Sequence, residues 1–142
     1  MAPTRLSAQD EIRAIVTLRL DGIKNRDPQS IARVVDKDRY TKFDDWPPFA
    51  RRGLDALSVE AEALKVLKEY RYDTTDWRID VFGNTALATF TITYLGTIRN
   101  LNFNVRSRVS AILVNEGGWK IVHEHWSRFP EAPMRRRRFF PI

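Results

Sequence analysis

The chain's two histidines, His123 and His125, stand one residue apart in Trp119-Lys120-Ile121-Val122-His123-Glu124-His125-Trp126-Ser127. Trp119, Ile121, His123, His125 and Ser127 fall at period two, which places them on one face of a strand. Two apolar residues, two imidazoles and a hydroxyl describe a strand that starts in a core and ends as the wall of a polar pocket. An imidazole there can orient a ligand or move a proton near neutral pH. Arg108, on the preceding strand, offers a planar fork that suits a carboxylate or phosphate. His125 is therefore expected as acid or base, Arg108 as anion holder and Tyr94 as hydrogen-bond donor. The competing expectation is an internal Arg–Tyr–Asp network that satisfies itself without a ligand. His123 either joins the pocket wall or is a buried histidine bonded to Ser110. As a metal pair, the histidines would need a third ligand. Only Asp44, Asp45 or Asp73 offers one, and Arg108 opposite His125 would repel the cation. Neither a metal nor a cofactor is expected.

Specific elements must carry these groups. Ser7 with Asp10 and Glu11 starts a helix whose apolar stripe, Ile12, Ile15, Val16 and Ile23, runs to about Lys24. Asp27-Pro28 opens a short second helix ending near Val35. Tyr40–Asp44 reads as a short strand, and Gly53 opens a third helix with Leu54, Leu57, Ala61 and Leu64 inward. Four strands follow: Tyr72–Phe82, Thr85–Leu95, Phe103–Val114 and Gly118–Phe129. The order α-α-β-α-β-β-β-β is an α+β arrangement.

Turn lengths set a register. A two-residue turn at Gly83-Asn84 pairs Ile79 with Ala88, Trp77 with Phe90 and Asp73 with Tyr94. A four-residue turn at 115–118 pairs Ser110 with His123 and Arg108 with His125. A three-residue turn at 100–102 sets Phe90 opposite Ile112 and Tyr94 opposite Arg108. One sheet face then carries a core at one end and Asp73, Tyr94, Arg108 and His125 at the other. The opposite face would hold Val105, Val109, Ala111, Leu113, Val122 and Trp126. A second apolar patch of that kind predicts a homodimer packed through the outer sheet face.

Gly-Trp-Lys-Ile-Val-His-Glu-His-Trp-Ser resembles the closing strand of SnoaL-like proteins in the nuclear-transport-factor-2-like (NTF2-like) superfamily. The resemblance extends over roughly residues 7–129. It implies a cone, a curved, mostly antiparallel sheet wrapped round a long N-terminal helix, with a cavity at the open end and dimerisation through the sheet. Within that superfamily, Asp44 and its spacing to the third helix resemble the general-base aspartate of ketosteroid isomerase. A carboxylate under apolar walls with no cation beside it gains basicity, which suits removal of a proton alpha to a carbonyl. Equally, Asp44 caps a turn. The first helix has no tyrosine to serve as that enzyme's oxyanion donor. Trp46-Pro47-Pro48-Phe49 lies where such folds place a lid, an aromatic floor for a flat ligand or packing over the core end.

Composition narrows the classes. With 142 residues, 43% hydrophobic, the chain is one domain with a substantial core. No cysteine is present, which excludes disulfides, thiolate metal sites and thiol nucleophiles. The net charge is +6, and Arg135-Arg136-Arg137-Arg138 holds four of those charges. Basicity therefore belongs to a tail, and no RNA-recognition signature accompanies it. No stretch reads as a signal peptide or membrane span, so a cytoplasmic location is expected.

The expected protein is one NTF2-like domain over residues 1–130 with a basic-aromatic tail at 131–142. Its cavity is expected to be bounded by Tyr40, Trp46, Trp77, Tyr94, Arg108 and His125, with Asp73 and His123 at its polar end. The ligand is expected to be a small organic acid or carbonyl compound, with Asp44 or His125 catalysing isomerisation, cyclisation or hydration. The alternatives are a non-catalytic association module and a nucleic-acid or membrane accessory acting through the arginine tail.

Overall fold

The computed structural model describes residues 6–130; the arginine tail lies outside the described residues. Ser7 caps α1 (Ala8–Lys24) by accepting a hydrogen bond from the Asp10 amide, and Asp10 and Glu11 complement the dipole of its first turn. Ile12, Val16 and Leu20 bury the helix's inner stripe. Asp27 caps α2 (Pro28–Val34), with Pro28 in the first turn where its missing N–H costs nothing. Then come β1 (Thr41–Phe43), β2 (Arg51–Arg52) and α3 (Asp55–Leu64). The four long strands are β3 (Leu67–Phe82), β4 (Thr85–Ile98), β5 (Leu101–Asn115) and β6 (Trp119–Arg128). They form one α+β unit whose six-stranded sheet runs β2-β1-β6-β5-β4-β3, antiparallel except where β1 runs parallel to β6. α3 buries Ala56 and Leu64, whereas Leu54, expected inward, precedes the helix and is exposed. No helix among the described residues is long and apolar enough to cross a membrane.

The helices and strands fall close to their expected places, but the expected register does not hold along the sheet. The Gly83-Asn84 hairpin pairs Ile79 with Ala88 as expected, until a bulge between Thr75 and Arg78 shifts the ladder. Asp76 takes a left-handed φ of 59° there. Beyond it Tyr72, not Asp73, faces Tyr94, and Asp73 turns out to solvent. The β4–β5 turn has two residues, Arg99 and Asn100, with Arg99 left-handed, so Phe90 meets Val109 and Tyr94 meets Val105. That offset turns β5 over. In β6 a bulge opposite the Ile112–Leu113 step places Ile121 against Leu113 but His123 against Ile112. Trp119 and Ile121 therefore stay inside, while Glu124 and Trp126 replace His123 and His125 there.

The outer apolar patch is corrected by the same offsets. Val105, Val109, Ala111, Leu113 and Trp126 are buried core, packed with Ile12, Val16 and Phe90.

One charged group is sealed in this core. Arg19 has no solvent exposure. Its guanidinium bonds Glu60 at 2.6 and 3.0 Å and Glu124 at 3.1 and 3.3 Å, with the Tyr40 oxygen 3.4 Å away. Tyr40 in turn donates to Glu124 at 2.5 Å. Burial disfavours the charge, but Glu124 and Glu60 outweigh it and hold Arg19 firmly protonated. Removing one member of such a cluster strands the others without water. Arg19→Ala is expected to lower the unfolding free energy in urea by about 3–5 kcal/mol, far more than an exposed truncation such as Arg78→Ala.

Candidate functional site

A cavity of about 270 Å³ opens between α3 and the inner sheet face, next to the loop that follows β1. Helix α3 supplies a mainly apolar side through Ala56, Val59, Ala63 and Leu64. The sheet adds Tyr70, Tyr94, Phe103 and Trp126, aromatic residues from four different strands. Lys42, Asp44, Asp45 and Trp46 form the polar wall.

That wall is held rigidly. Asp45 is 2% exposed, and its Oδ2 accepts hydrogen bonds from the Tyr94 hydroxyl at 2.7 Å and the Ser107 hydroxyl at 2.6 Å. The Trp46 indole N–H donates to the same Tyr94 oxygen at 2.9 Å. Arg128 supports the loop from outside: its Nε donates to the Asp45 carbonyl at 2.6 Å and its guanidinium lies 4.8 Å from the Trp46 ring centroid. Burial, followed by the Asp45 charge, pushes the Tyr94 hydroxyl far up, so it remains a donor. Lys42 is 7% exposed and sits 4.8 Å from the Trp126 ring centroid. Its Nζ is 3.7 Å from both Asp44 and Glu60. It is the one cation on the wall among the described residues, and three carboxylates, Asp44, Asp45 and Glu60, line the cavity with it.

Of the nine residues expected at a site, Asp44, Trp46 and Tyr94 line this cavity. Tyr40 belongs to the Arg19 cluster in the core. Trp77 stacks on Phe90 at 4.3 Å with Arg13 over its other face, away from the cavity. Asp73 is exposed, turned out by the β3 bulge. Arg108 is exposed on the outer face, 4.9 Å from the Phe129 ring centroid, so it holds no anion in the cavity. His125 is exposed beside Phe43, and His123 meets the Thr41 hydroxyl at 2.7 Å, not Ser110. Partial burial and the neighbouring His125 push His123 down, toward its neutral form. Asp44 also differs from expectation in having a cation beside it.

Sequence reasoning passed over Arg19, Lys42, Glu60 and Ser107, and it placed Trp126 on the outer sheet face. Arg19 had a readable signal, since it sits seven residues after Ile12 on the apolar stripe. Asp45 was considered only as a metal ligand.

A curved, unclosed sheet wrapped over a helix with a cavity at one end defines the NTF2-like, cystatin-like class of α+β domains. Residues 12–132 match the family model described as SnoaL-like domain, and the chain belongs to that family. Among solved structures, a candidate dehydratase of the NTF2-like family from Streptomyces avermitilis superposes with a TM-score of 0.74 at 16% identity, covering 85% of this chain and 95% of that one. The S. rosetta CaMKII hub gives 0.75 at 17% identity, with 89% and 100% covered. An NTF2-like superfamily protein from Salmonella enterica gives 0.74 at 20% identity, with 90% and 95% covered. At these identities the likeness shows the fold alone. No curated protein matches the chain.

The wall's charges make a test in pH. Burial alone would raise the Glu60 carboxyl, but Arg19 and Lys42 together hold it below its ordinary 4.5. The unfolded chain then binds this proton more readily than the folded one, so folding stability is full above that value and lost as pH falls through the depressed one. Urea titrations from pH 7 to pH 3 are expected to show stability falling below 4.5, with a shallower slope in Glu60→Gln.

Proposed function

We propose that the protein binds a compact, neutral, largely apolar carbonyl compound in this cavity and exchanges a proton at the carbon alpha to the carbonyl, without a cofactor. The observation that carries this reading is the cavity itself: apolar on the α3 side, polar along the Lys42–Trp46 segment, and about 270 Å³ in volume. That lies just under the usual range for small-molecule sites, about 300–1,000 Å³, which favours a small ligand. A carboxylic acid fits poorly, because Lys42 is already shared between Asp44 and Glu60 and a further anion would face three carboxylates. The carbonyl half of the sequence expectation remains.

Asp44 is the proton acceptor in this reading. Asp45 is committed to Tyr94 and Ser107, whereas Asp44 has only the long Lys42 contact. The C–H bond breaks, its proton passes to the Asp44 carboxylate, and the electron pair moves onto the carbonyl oxygen as an enolate. Reprotonation at a second carbon would give isomerisation, and attack or loss at a neighbouring centre would give cyclisation or exchange of water. The dehydratase description of the S. avermitilis structure is chemistry of the same class.

The test is hydrogen exchange. In D2O, 1-indanone should lose its alpha-proton NMR signals faster with protein than without. Asp44→Asn should slow this by about 100-fold. Exchange at the buffer rate by wild-type protein that binds the ketone would end the catalytic half of the reading.

A second reading, a homodimeric association module, is favoured by the outer sheet face. The paired rows Leu87–Ile112–His123 and Thr89–Ser110–His125 carry no acidic or basic residue except the two imidazoles, and Ile112 is 36% exposed. This centre suits a second copy of the sheet, and similarity to a kinase hub domain agrees with it. Light scattering should then give about twice 16.6 kDa. Ile112→Lys should return the monomer without changing ligand binding.

A further inference from the structure

A donor and an acceptor on the cavity wall face each other without bonding. Lys42 and Asp44 both line the cavity, and the Lys42 Nζ lies 3.7 Å from Asp44 Oδ1. It lies 3.7 Å from Glu60 Oε2 as well. Both distances are too long for hydrogen bonds. The Lys42 ammonium makes none among the described residues, although the residue is only 7% exposed. The Trp126 ring covers it at 4.8 Å but offers no acceptor atom. An ammonium carries three donors, and leaving them unmet under apolar cover is costly. The group is not sealed. Among the described residues that are not exposed, Trp126 Nε1 is the only polar side-chain atom both closed off and without a hydrogen bond.

Asp44 supplies the other half of the pair. Asp45 is taken up by Tyr94 and Ser107, and Glu60 by Arg19. The Asp44 carboxylate accepts no hydrogen bond among the described residues, and its side chain is 23% exposed, so a ligand can reach it. The gap to Lys42 suits one oxygen that accepts from the ammonium and donates to the carboxylate. A hydroxyl does both through a single atom. A carbonyl oxygen there would meet Lys42 and leave Asp44 unmet, and a ligand carboxylate would repel Asp44. A water molecule can make the same two bonds. A ligand hydroxyl that replaces the water keeps them, whereas a methyl group in that place loses both.

We propose that Lys42 and Asp44 form a hydroxyl-binding subsite, and that the ligand of the cavity is an α-hydroxy ketone or aldehyde. This rests on the ligand site proposed above and names a second group that the site reads. A hydroxyl is neutral, so it is compatible with the three carboxylates on the wall. Asp44 Oδ1 is the oxygen on the Lys42 side. Holding the hydroxyl there leaves Oδ2 beside the hydrogen on the same carbon. In an α-hydroxy ketone that hydrogen is alpha to the carbonyl, so one carboxylate both positions the ligand and faces its acidic proton. That shared carbon selects the α-hydroxy compound over its β-hydroxy relative.

Three probes of one shape separate these cases: 2-hydroxy-1-indanone, 2-methyl-1-indanone and 3-hydroxy-1-indanone, titrated into the full chain by calorimetry. The 2-hydroxy ketone is expected to bind about tenfold more tightly than the 2-methyl ketone, whose methyl group fills the same space. The 3-hydroxy ketone should bind no more tightly than the 2-methyl ketone. Lys42→Met should cut the preference to about twofold or less and leave the 2-methyl ketone's affinity unchanged, which also reports that the variant is folded. In unaltered protein labelled with nitrogen-15 lysine, one side-chain ammonium signal should move with the 2-hydroxy ketone and stay in place with the 2-methyl ketone. That readout stands even if the variant does not fold. Equal affinities for the 2-hydroxy and 2-methyl ketones, with unmoved ammonium signals, would overturn the hydroxyl subsite while leaving the binding cavity in place. A preference that survives Lys42→Met would overturn the role of Lys42. Tightest binding of the 3-hydroxy ketone would overturn the α-hydroxy class. Failure of all three probes to bind would overturn the cavity reading as well.

Discussion

A guanidinium sealed from water is the constraint on which this fold turns. Arg19 enters the core from α1 and is tolerable there only because Glu60 from α3 and Glu124 from β6 meet it directly, with Tyr40 closing the ring. Those partners come from three separate segments. The ion cluster therefore sets where α3 lies over the sheet, a position that apolar contacts alone would leave free to slide. Helix α3 is the apolar side of the cavity, so a charge balance deep in the core shapes a site that it reaches through Glu60 alone.

Glu60 links the two regions. One carboxylate serves Arg19 behind it and Lys42 at the cavity wall. The lysine is thereby held against the Trp126 face and has little attraction left for an incoming anion. On the neighbouring loop, Asp45 spends one oxygen on Tyr94 and Ser107. These commitments divide the wall into groups that hold the structure and groups that remain open. Asp44, with only the long Lys42 contact, falls among the open ones. Burial makes each unmet polar group on such a wall expensive.

The two faces of the sheet carry different chemistry. Inside lie aromatic residues with one buried carboxylate cluster. Outside, the paired rows running from Leu87 and Thr89 to the two histidines are one apolar and one hydroxyl-bearing, with no acidic or basic side chain besides the imidazoles.

The sequence by itself determined the element order, the caps at Ser7 and Asp27, the Gly83-Asn84 hairpin and the family. It also indicated Asp44, Trp46 and Tyr94 as residues of one cavity. These are local signals: a capping hydroxyl, a proline at a first turn, a two-residue turn and a closing-strand motif each act within a few residues. Which side of the sheet His123, His125, Arg108 and Asp73 occupy was decided only in three dimensions. A bulge of one residue in β3, another in β6 and a tight turn built on Arg99 each exchange inner for outer positions. None of them has a strong sequence mark, because a left-handed arginine or aspartate is stabilised by the strands on either side and not by its own preference. Period-two patterning tells which residues share a face only as far as the next bulge, and both histidines lie beyond one.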